Sequence, residues 1–481
     1  MSRSLNRLAF GLLVLMVALL VQLTRIQVFQ ADELNAMPGN QRTLLTEYSR
    51  ERGPILVDQA PIARSVPTDD DLKYLRRYDA GKQYASATGF YSIVFGATGL
   101  EKAENAVLSG DDPRLFVDRM QQLFAGRQTK GGSVTTTLDA KAQQAAWDGI
   151  KGYTGSVVAV EPATGRILAQ VQSPSFDPNQ LSSHNSKEIN EYYSELEADP
   201  DKPLLNRPIA KTNPPGSTFK VVTAAAALAS GDFTPDTIIP GPKTYRLPGT
   251  DVELPNWTGT ECGPDGKVTL AEALAISCNT AFAWLGNQLG DDALREMAEA
   301  FGFEESFETP LRVAASRFPA DPDESQTAQA AIGQFDVRAT TLQMAMVAAA
   351  VGNNGVTMRP GIVERTSAPD LAPLETFQPE DFADALTPEQ AAQLADMMVG
   401  VVDNGTGSAA QIPGVEVAGK TGTAQTSSDR PSIAWFVAFA PATNPQVAVA
   451  VAVEDAGTNE VSGNQLAGPI AKAVMQAVLG G

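Results

Sequence analysis

The sequence predicts an α+β protein built on an antiparallel sheet with helices over both faces. Residues 433–439 and 447–453 are long apolar runs of strand composition, broken at Pro441 and Pro445. This suits antiparallel neighbours with neither face solvated. Residues 155–172 read as a hairpin around the turn Pro162-Ala163-Thr164-Gly165. Helix is predicted over 221–229, which is apolar on nearly all sides, reads as buried, and meets its stop at Gly231.

At 481 residues the chain has room for two or three domains. Its 36 Lys+Arg against 56 Asp+Glu give a formal net charge of −20, which argues against nucleic acid as a partner. The single histidine, His184, sits in Ser182-Ser183-His184-Asn185-Ser186 and reads as a solvated loop residue. That argues against a serine–histidine triad and against a histidine-rich metal site, so no metal or cofactor is expected. Cys262 and Cys278 are too few for a disulfide scaffold. Both are free, or outside the cytoplasm they form one bridge; they flank the same helix, so a bridge would tether the loop carrying Ser277.

Arg3 and Arg7 precede residues 8–24, which carry no charge and end at Arg25. Seventeen residues is the short end of a membrane span. Gln22-Leu23-Thr24-Arg25 does not fit a small-x-small cleavage site, so the stretch reads as an uncleaved anchor contacting membrane lipid. The leading arginines keep residues 1–7 in the cytoplasm and put everything after Arg25 outside. Residues 25–140 are polar and mixed, with a strand at 55–57, an aromatic cluster from Tyr74 to Phe95 that reads as core, and a strand at 133–138. Nothing there suggests chemistry, so it is predicted to be a non-catalytic spacer or docking module. The catalytic part is 141–481, where Phe176-Asp177-Pro178-Asn179 reads as a loop leading toward a candidate nucleophile.

That nucleophile is Ser217, in Pro214-Pro215-Gly216-Ser217-Thr218-Phe219-Lys220. Two prolines and a glycine bar regular structure up to Gly216, and Ser217 falls in the first turn of the helix that follows. Residues three apart share a helix face, so the Lys220 amine can reach the Ser217 hydroxyl. A hydroxyl beside an amine base makes a nucleophile without histidine. Downstream, Thr269-x-x-Glu272 has capping-box spacing, so Ser277 and Asn279 follow a helix and precede another that starts at Thr280. Two polar side chains on one short loop suit proton relay and amide binding. Last comes Gly419-Lys420-Thr421-Gly422-Thr423, predicted as the strand before the apolar pair, with Gly422 leaving room for a ligand backbone. Each motif is common by itself, and their order and spacing are what carry meaning.

Ser-x-x-Lys, then Ser-x-Asn, then Lys-Thr-Gly resembles the signature of the penicillin-recognising serine enzymes. Cys278 at the centre of the middle motif is more similar to a penicillin-binding protein than to a class A β-lactamase. Arg52-Gly53-Pro54-Ile55, Phe176-Asp177-Pro178-Asn179, Asn206-Arg207, Gly333-Gln334 and Gly405-Thr406-Gly407 resemble class B penicillin-binding proteins, in the short actinobacterial form of the penicillin-binding protein A type. The resemblance implies a transpeptidase-domain fold with an all-helical subdomain. It also implies acyl transfer from a D-Ala-D-Ala stem peptide of peptidoglycan, with β-lactams as covalent inhibitors.

In that reading Ser217 attacks, Lys220 is the base, Ser277 relays a proton and Asn279 holds the substrate amide. Lys420, Thr421 and Thr423 bind the terminal carboxylate along the Gly422 strand, and the backbone N–H groups of Ser217 and Thr423 form the oxyanion hole. Lysine ordinarily titrates near ~10.4, so base function near neutrality asks for a lowering of about three pH units, roughly 4 kcal/mol. A class A deacylating glutamate motif is not found, so a long-lived penicillin adduct is expected. The family also implies a membrane glycan polymerase and division or elongation proteins as partners. Rival readings are a D,D-carboxypeptidase and a membrane-tethered β-lactam-binding sensor or scaffold without turnover. A sensor needs a signalling domain across the membrane, and a scaffold would tolerate loss of the motifs.

Overall fold

A computed structural model describes residues 2–26, 30, 47–115, 124, 130–425, 431–458 and 461–480. Five antiparallel strands form the central sheet, in the order Ala418–Ala424, Ile433–Ala440, Val447–Asp455, Thr154–Val160, Ile167–Ser173. Side chains alternate between faces along a strand, so an all-apolar strand supplies two cores. Here Trp435, Val437 and Phe439 join Ala448, Ala450 and Ala452 in one core. Phe436, Val449 and Val451 face the other, against Ala142, Ala146, Ile470 and Val474 of the helices Ala140–Ile150 and Gly468–Leu479. Burying each large apolar side chain here contributes about 2 kcal/mol.

The first core is closed by a helical region comprising Lys220–Ser230, Leu270–Ala275, Asn279–Leu289, Thr341–Gly352 and Pro388–Asp403. The last begins with Pro388 after Thr387, whose side chain forms a capping box with Gln390. Positions 221–228 are all buried, as an apolar helix requires, and Gly231 ends it at φ +77°.

A second sheet of six strands runs Pro373–Thr376, Val363–Ser367, Ser133–Thr136, Ile55–Val57, Ala60–Pro67, Tyr74–Tyr78. Only Ile55–Val57 and Ser133–Thr136 pair in parallel. Residues 363–376, which a boundary at 140 assigns to the catalytic part, therefore complete the N-terminal sheet. Within that module Glu101 is fully buried between Arg52 Nε and Arg76 Nε, each at 2.6 Å, and accepts from the Tyr78 hydroxyl at 3.1 Å. Burial alone would raise the Glu101 carboxyl, but the two guanidiniums outweigh it and hold it below the usual carboxylate range.

Two expectations change. Phe176-Asp177-Pro178-Asn179 does not lead toward the nucleophile. Asp177 caps the short helix Pro178–Leu181, and Asn179 clamps the Tyr78 backbone N–H and C=O at 2.9 Å each, so the segment docks onto the N-terminal module. His184 is part-buried rather than a free loop residue, with its ring nitrogens 2.5 Å from Asp70 Oδ2 and 3.2 Å from the Tyr74 carbonyl oxygen. The helix Ser2–Thr24 includes a 19-residue stretch, Asn6–Thr24, long and apolar enough to cross a membrane. Within 25–140, residues 27–29, 31–46, 116–123 and 125–129 lie outside the described residues.

Candidate active site

Gly216 (φ +54°) opens a 3₁₀ turn, Gly216–Phe219, that runs directly into the helix Lys220–Ser230. Ser217 thus lies in the 3₁₀ turn rather than in the helix proper. Residues three apart eclipse in this geometry, which aligns 217 with 220. The turn is pinned from several sides. Gly216 N–H donates to the Gly333 carbonyl at 2.9 Å, and a Cβ at Gly333 would lie 2.1 Å from the Gly216 carbonyl oxygen. Trp435 Nε1 donates to the Pro214 carbonyl at 3.0 Å. Upstream, the buried Glu454 carboxylate holds Arg207 (3.4 Å), Lys211 and Asn213 (3.0 Å), the segment that feeds the turn.

Ser277 stands between the two lysines. Its Oγ lies 3.2 Å from Lys220 Nζ and 2.9 Å from Lys420 Nζ. Lys220 Nζ also lies 2.8 Å from the Ser277 carbonyl oxygen and 2.7 Å from Asn279 Oδ1. Asn279 Nδ2 donates to the Pro255 carbonyl at 3.3 Å. Both lysines are fully buried beneath the cleft floor. Burial, and then the charge of Lys420, push the Lys220 amine well below its ordinary value; burial alone lowers Lys420 to about 7. These contacts accommodate a neutral Lys220 beside a charged Lys420. A neutral Lys220 has two N–H groups for the two oxygens that only accept, which leaves its lone pair for a hydroxyl. A charged Lys420 donates to Ser277 Oγ and to the Thr421 carbonyl at 3.0 Å.

Ser277 has φ +60°, the left-handed region, at a cost of about 1 kcal/mol for a residue with a Cβ. Two features hold it there: the carbonyl contact to Lys220, and a disulfide from the next residue, Cys278, to Cys262. Asn279 opens the helix Asn279–Leu289, so the Ser277 loop joins two helices.

Lys420, Thr421, Gly422 and Thr423 lie on Ala418–Ala424, the free edge of the central sheet. A Cβ at Gly422 would meet Trp435 Cβ at 2.9 Å and Thr218 Cγ2 at 3.0 Å. Its bareness therefore serves the close approach of the nucleophile turn as well as any ligand. Ser217, Ser277, Asn279, Thr421, Gly422 and Thr423 all line one cleft of about 640 Å³, within the range of ligand pockets. Lining residues without a role in the sequence reading include Thr406, Gln334 and Trp257. Thr406 and Gln334 lie in motifs quoted above only for resemblance; Glu454, behind the cleft, is signalled only by a charge ending an apolar run. The arrangement can deprotonate a hydroxyl, move a proton through Ser277 and hold an anion near Lys420.

A family model described as the penicillin binding protein transpeptidase domain matches residues 155–476, and one described as the penicillin binding protein A dimerisation domain matches residues 52–134. The chain is 47% identical over 489 residues to the peptidoglycan D,D-transpeptidase PbpA of Mycolicibacterium smegmatis, covering 100% of this chain and 99% of the relative. It is 46% identical over 492 residues to PbpA of Mycobacterium tuberculosis, covering 100% of both. Among solved structures, the ceftriaxone acyl-enzyme complex of penicillin-binding protein A from M. tuberculosis superposes with a TM-score of 0.88 at 45% identity, covering 90% of this chain and 100% of that one. The penicillin G acyl-enzyme complex of the same protein gives 0.85 at 45% identity, covering 89% and 100%.

Proposed function

The chain belongs to the class B penicillin-binding transpeptidases, and from that premise we propose how its cleft carries out the reaction. It is a serine-type, penicillin-sensitive peptidoglycan D,D-transpeptidase. The observation that carries the mechanism is the Ser277 hydroxyl within 3.2 Å of one buried amine and 2.9 Å of another.

Neutral Lys220 takes the Ser217 proton as Ser217 Oγ bonds to the carbonyl carbon of the penultimate D-Ala. The negative charge that develops on the carbonyl oxygen is held by the backbone N–H groups of Ser217 and Thr423. Edge-strand geometry supports the second donor: the Thr421 carbonyl takes the Lys420 amine, and residues two apart on a strand present main-chain groups to the same edge. The C–N bond then breaks, and the leaving D-Ala nitrogen receives its proton through Ser277. In the second half, an amine of a neighbouring stem peptide attacks the ester carbon and gives up a proton to the lysine pair. The Ser217–carbon bond breaks and the hydroxyl reforms. Asn279 orients the donor amide, while Lys420, Thr421 and Thr423 bind its carboxylate. The Cys262–Cys278 bond keeps Ser277 in place.

Residues 8–24 anchor the chain after a cytoplasmic segment, 1–7. Residues 25–140 form a docking module and 141–481 a catalytic part outside the cytoplasm, with 363–376 tying the two together. A membrane glycan polymerase and division or elongation proteins are the partners this layout suits.

Purified protein treated with penicillin should gain one drug mass that persists for hours, and Ser217→Ala should gain none. Rapid return to the unmodified mass would reassign the chain to β-lactam hydrolysis. Given a D-Ala-D-Ala donor and an amine acceptor, the chain should form cross-linked product; hydrolysis alone would favour the carboxypeptidase reading.

A further inference from the structure

Thr406 follows the helix Pro388–Asp403 in sequence, yet its hydroxyl touches both halves of the site. Thr406 Oγ1 lies 2.7 Å from Thr421 Oγ1, and both residues line the cleft. On its other side it lies 3.4 Å from the carbonyl of Ala275, two residues before Ser277. The Thr406 backbone N–H donates to the same carbonyl at 3.1 Å. At Gly405 a Cβ would lie 2.2 Å from that oxygen, so only glycine lets the segment come this close.

We propose that Thr406 is a positioning residue for recognition of the donor's carboxylate, fixing the direction in which the Thr421 hydroxyl donates. This rests on the reading of Thr421 as a carboxylate ligand. Each hydroxyl has one proton, so two arrangements exist. In one, Thr421 donates to Thr406 and Thr406 to Ala275. In the other, Thr406 donates to Thr421, and the Thr421 proton points into the cleft. A carboxylate selects the second, because it accepts only. The exchange gives up a long 3.4 Å contact. It does not orphan the Ala275 carbonyl, which keeps the Thr406 backbone N–H. Donation from Thr406 also polarises the Thr421 hydroxyl and holds its rotamer.

The test compares a D-Ala-D-Ala peptide donor with the same peptide carrying a C-terminal amide, by kcat/KM for acyl transfer to an amine. Wild type should prefer the free carboxylate. Thr406→Val should lose about fivefold on the carboxylate donor and leave the amide donor unchanged, while Thr406→Ser restores the preference. Equal losses on both donors would make Thr406 a brace and overturn the inference, with the Ser217 chemistry intact. A wild type indifferent to the two donors would overturn the carboxylate reading of Thr421, and this inference with it.

Discussion

The Lys420 Nζ atom lies 2.9 Å from Ser277 Oγ, with the amine fully buried and the hydroxyl on a buried residue that lines the cleft. Two buried amines around one hydroxyl cannot both hold a proton cheaply, because each charge is desolvated and each repels the other. Burial and the neighbouring Lys420 charge push the Lys220 amine well below its ordinary value, which favours the neutral form that the proposed base role requires. Such a pair titrates as a unit.

The pH dependence of acylation follows. In the proposed mechanism Lys220 is neutral to accept the Ser217 proton, and Lys420 is charged to hold a carboxylate. The second-order rate constant for penicillin acylation should therefore rise with pH as the pair gives up its first proton. It should fall near pH 7, as the pair gives up its second. Lys420→Met removes the like charge that helps depress Lys220. In that variant the rising limb should move to higher pH and the falling limb should vanish. A rising limb that stays in place would show that Lys420 does not tune the base.

The same burial has a cost in stability. The folded-state value of Lys420, about 7, lies below the ordinary lysine value of 10.5. Between those two values the unfolded chain binds the proton more tightly, so this group's contribution makes stability rise with pH. Below about 7 both states are charged and the full cost is felt, on the order of 5 kcal/mol. Lys420→Met should accordingly melt higher than wild type at pH 6, with a gain that shrinks steadily toward pH 10. Melts of both proteins across that window isolate the effect. A gain independent of pH would mean that the charge is not what the fold resists.

The groups that meet at the cleft were legible because they come in short motifs whose members are neighbours in sequence: Ser217 with Lys220, Ser277 with Asn279, Lys420 with Thr421 and Thr423. The sheet was legible because 433–439 and 447–453 are apolar on both faces. Contacts between distant residues were not legible. The docking of Asn179 onto Tyr78 depends on a fold-level encounter that no local pattern encodes, which is why 176–179 read as a loop toward the nucleophile. The meeting of Thr406 with Thr421 and the grip of Glu454 on Asn213 are likewise tertiary. Ser277 at positive φ also escaped notice, since serine carries no signal for that region.

Glu101 is the sharpest case of a hidden long-range contact, and it separates stability from catalysis. Its carboxylate is the common partner of Arg52 and Arg76, and the Arg52 guanidinium also stacks 4.2 Å from the Tyr91 ring centre. Glu101→Gln leaves two buried guanidiniums without a counter-charge, a change that costs about 3–5 kcal/mol. Because the folded carboxyl titrates below its unfolded value, its contribution is present above about pH 4.5 and is lost as pH falls through the folded value. The variant should therefore unfold at lower denaturant than wild type at pH 7, with the gap narrowing as the pH falls below 4.5. The penicillin acylation rate of the folded fraction should be unchanged, since the cluster lies in the N-terminal module and not among the residues lining the cleft. Replacing Arg52, Arg76 and Glu101 together by apolar residues of similar volume should recover most of the loss. A Glu101→Gln protein as stable as wild type at neutral pH would mean that the two arginines find other partners, and that the cluster does not hold the module together.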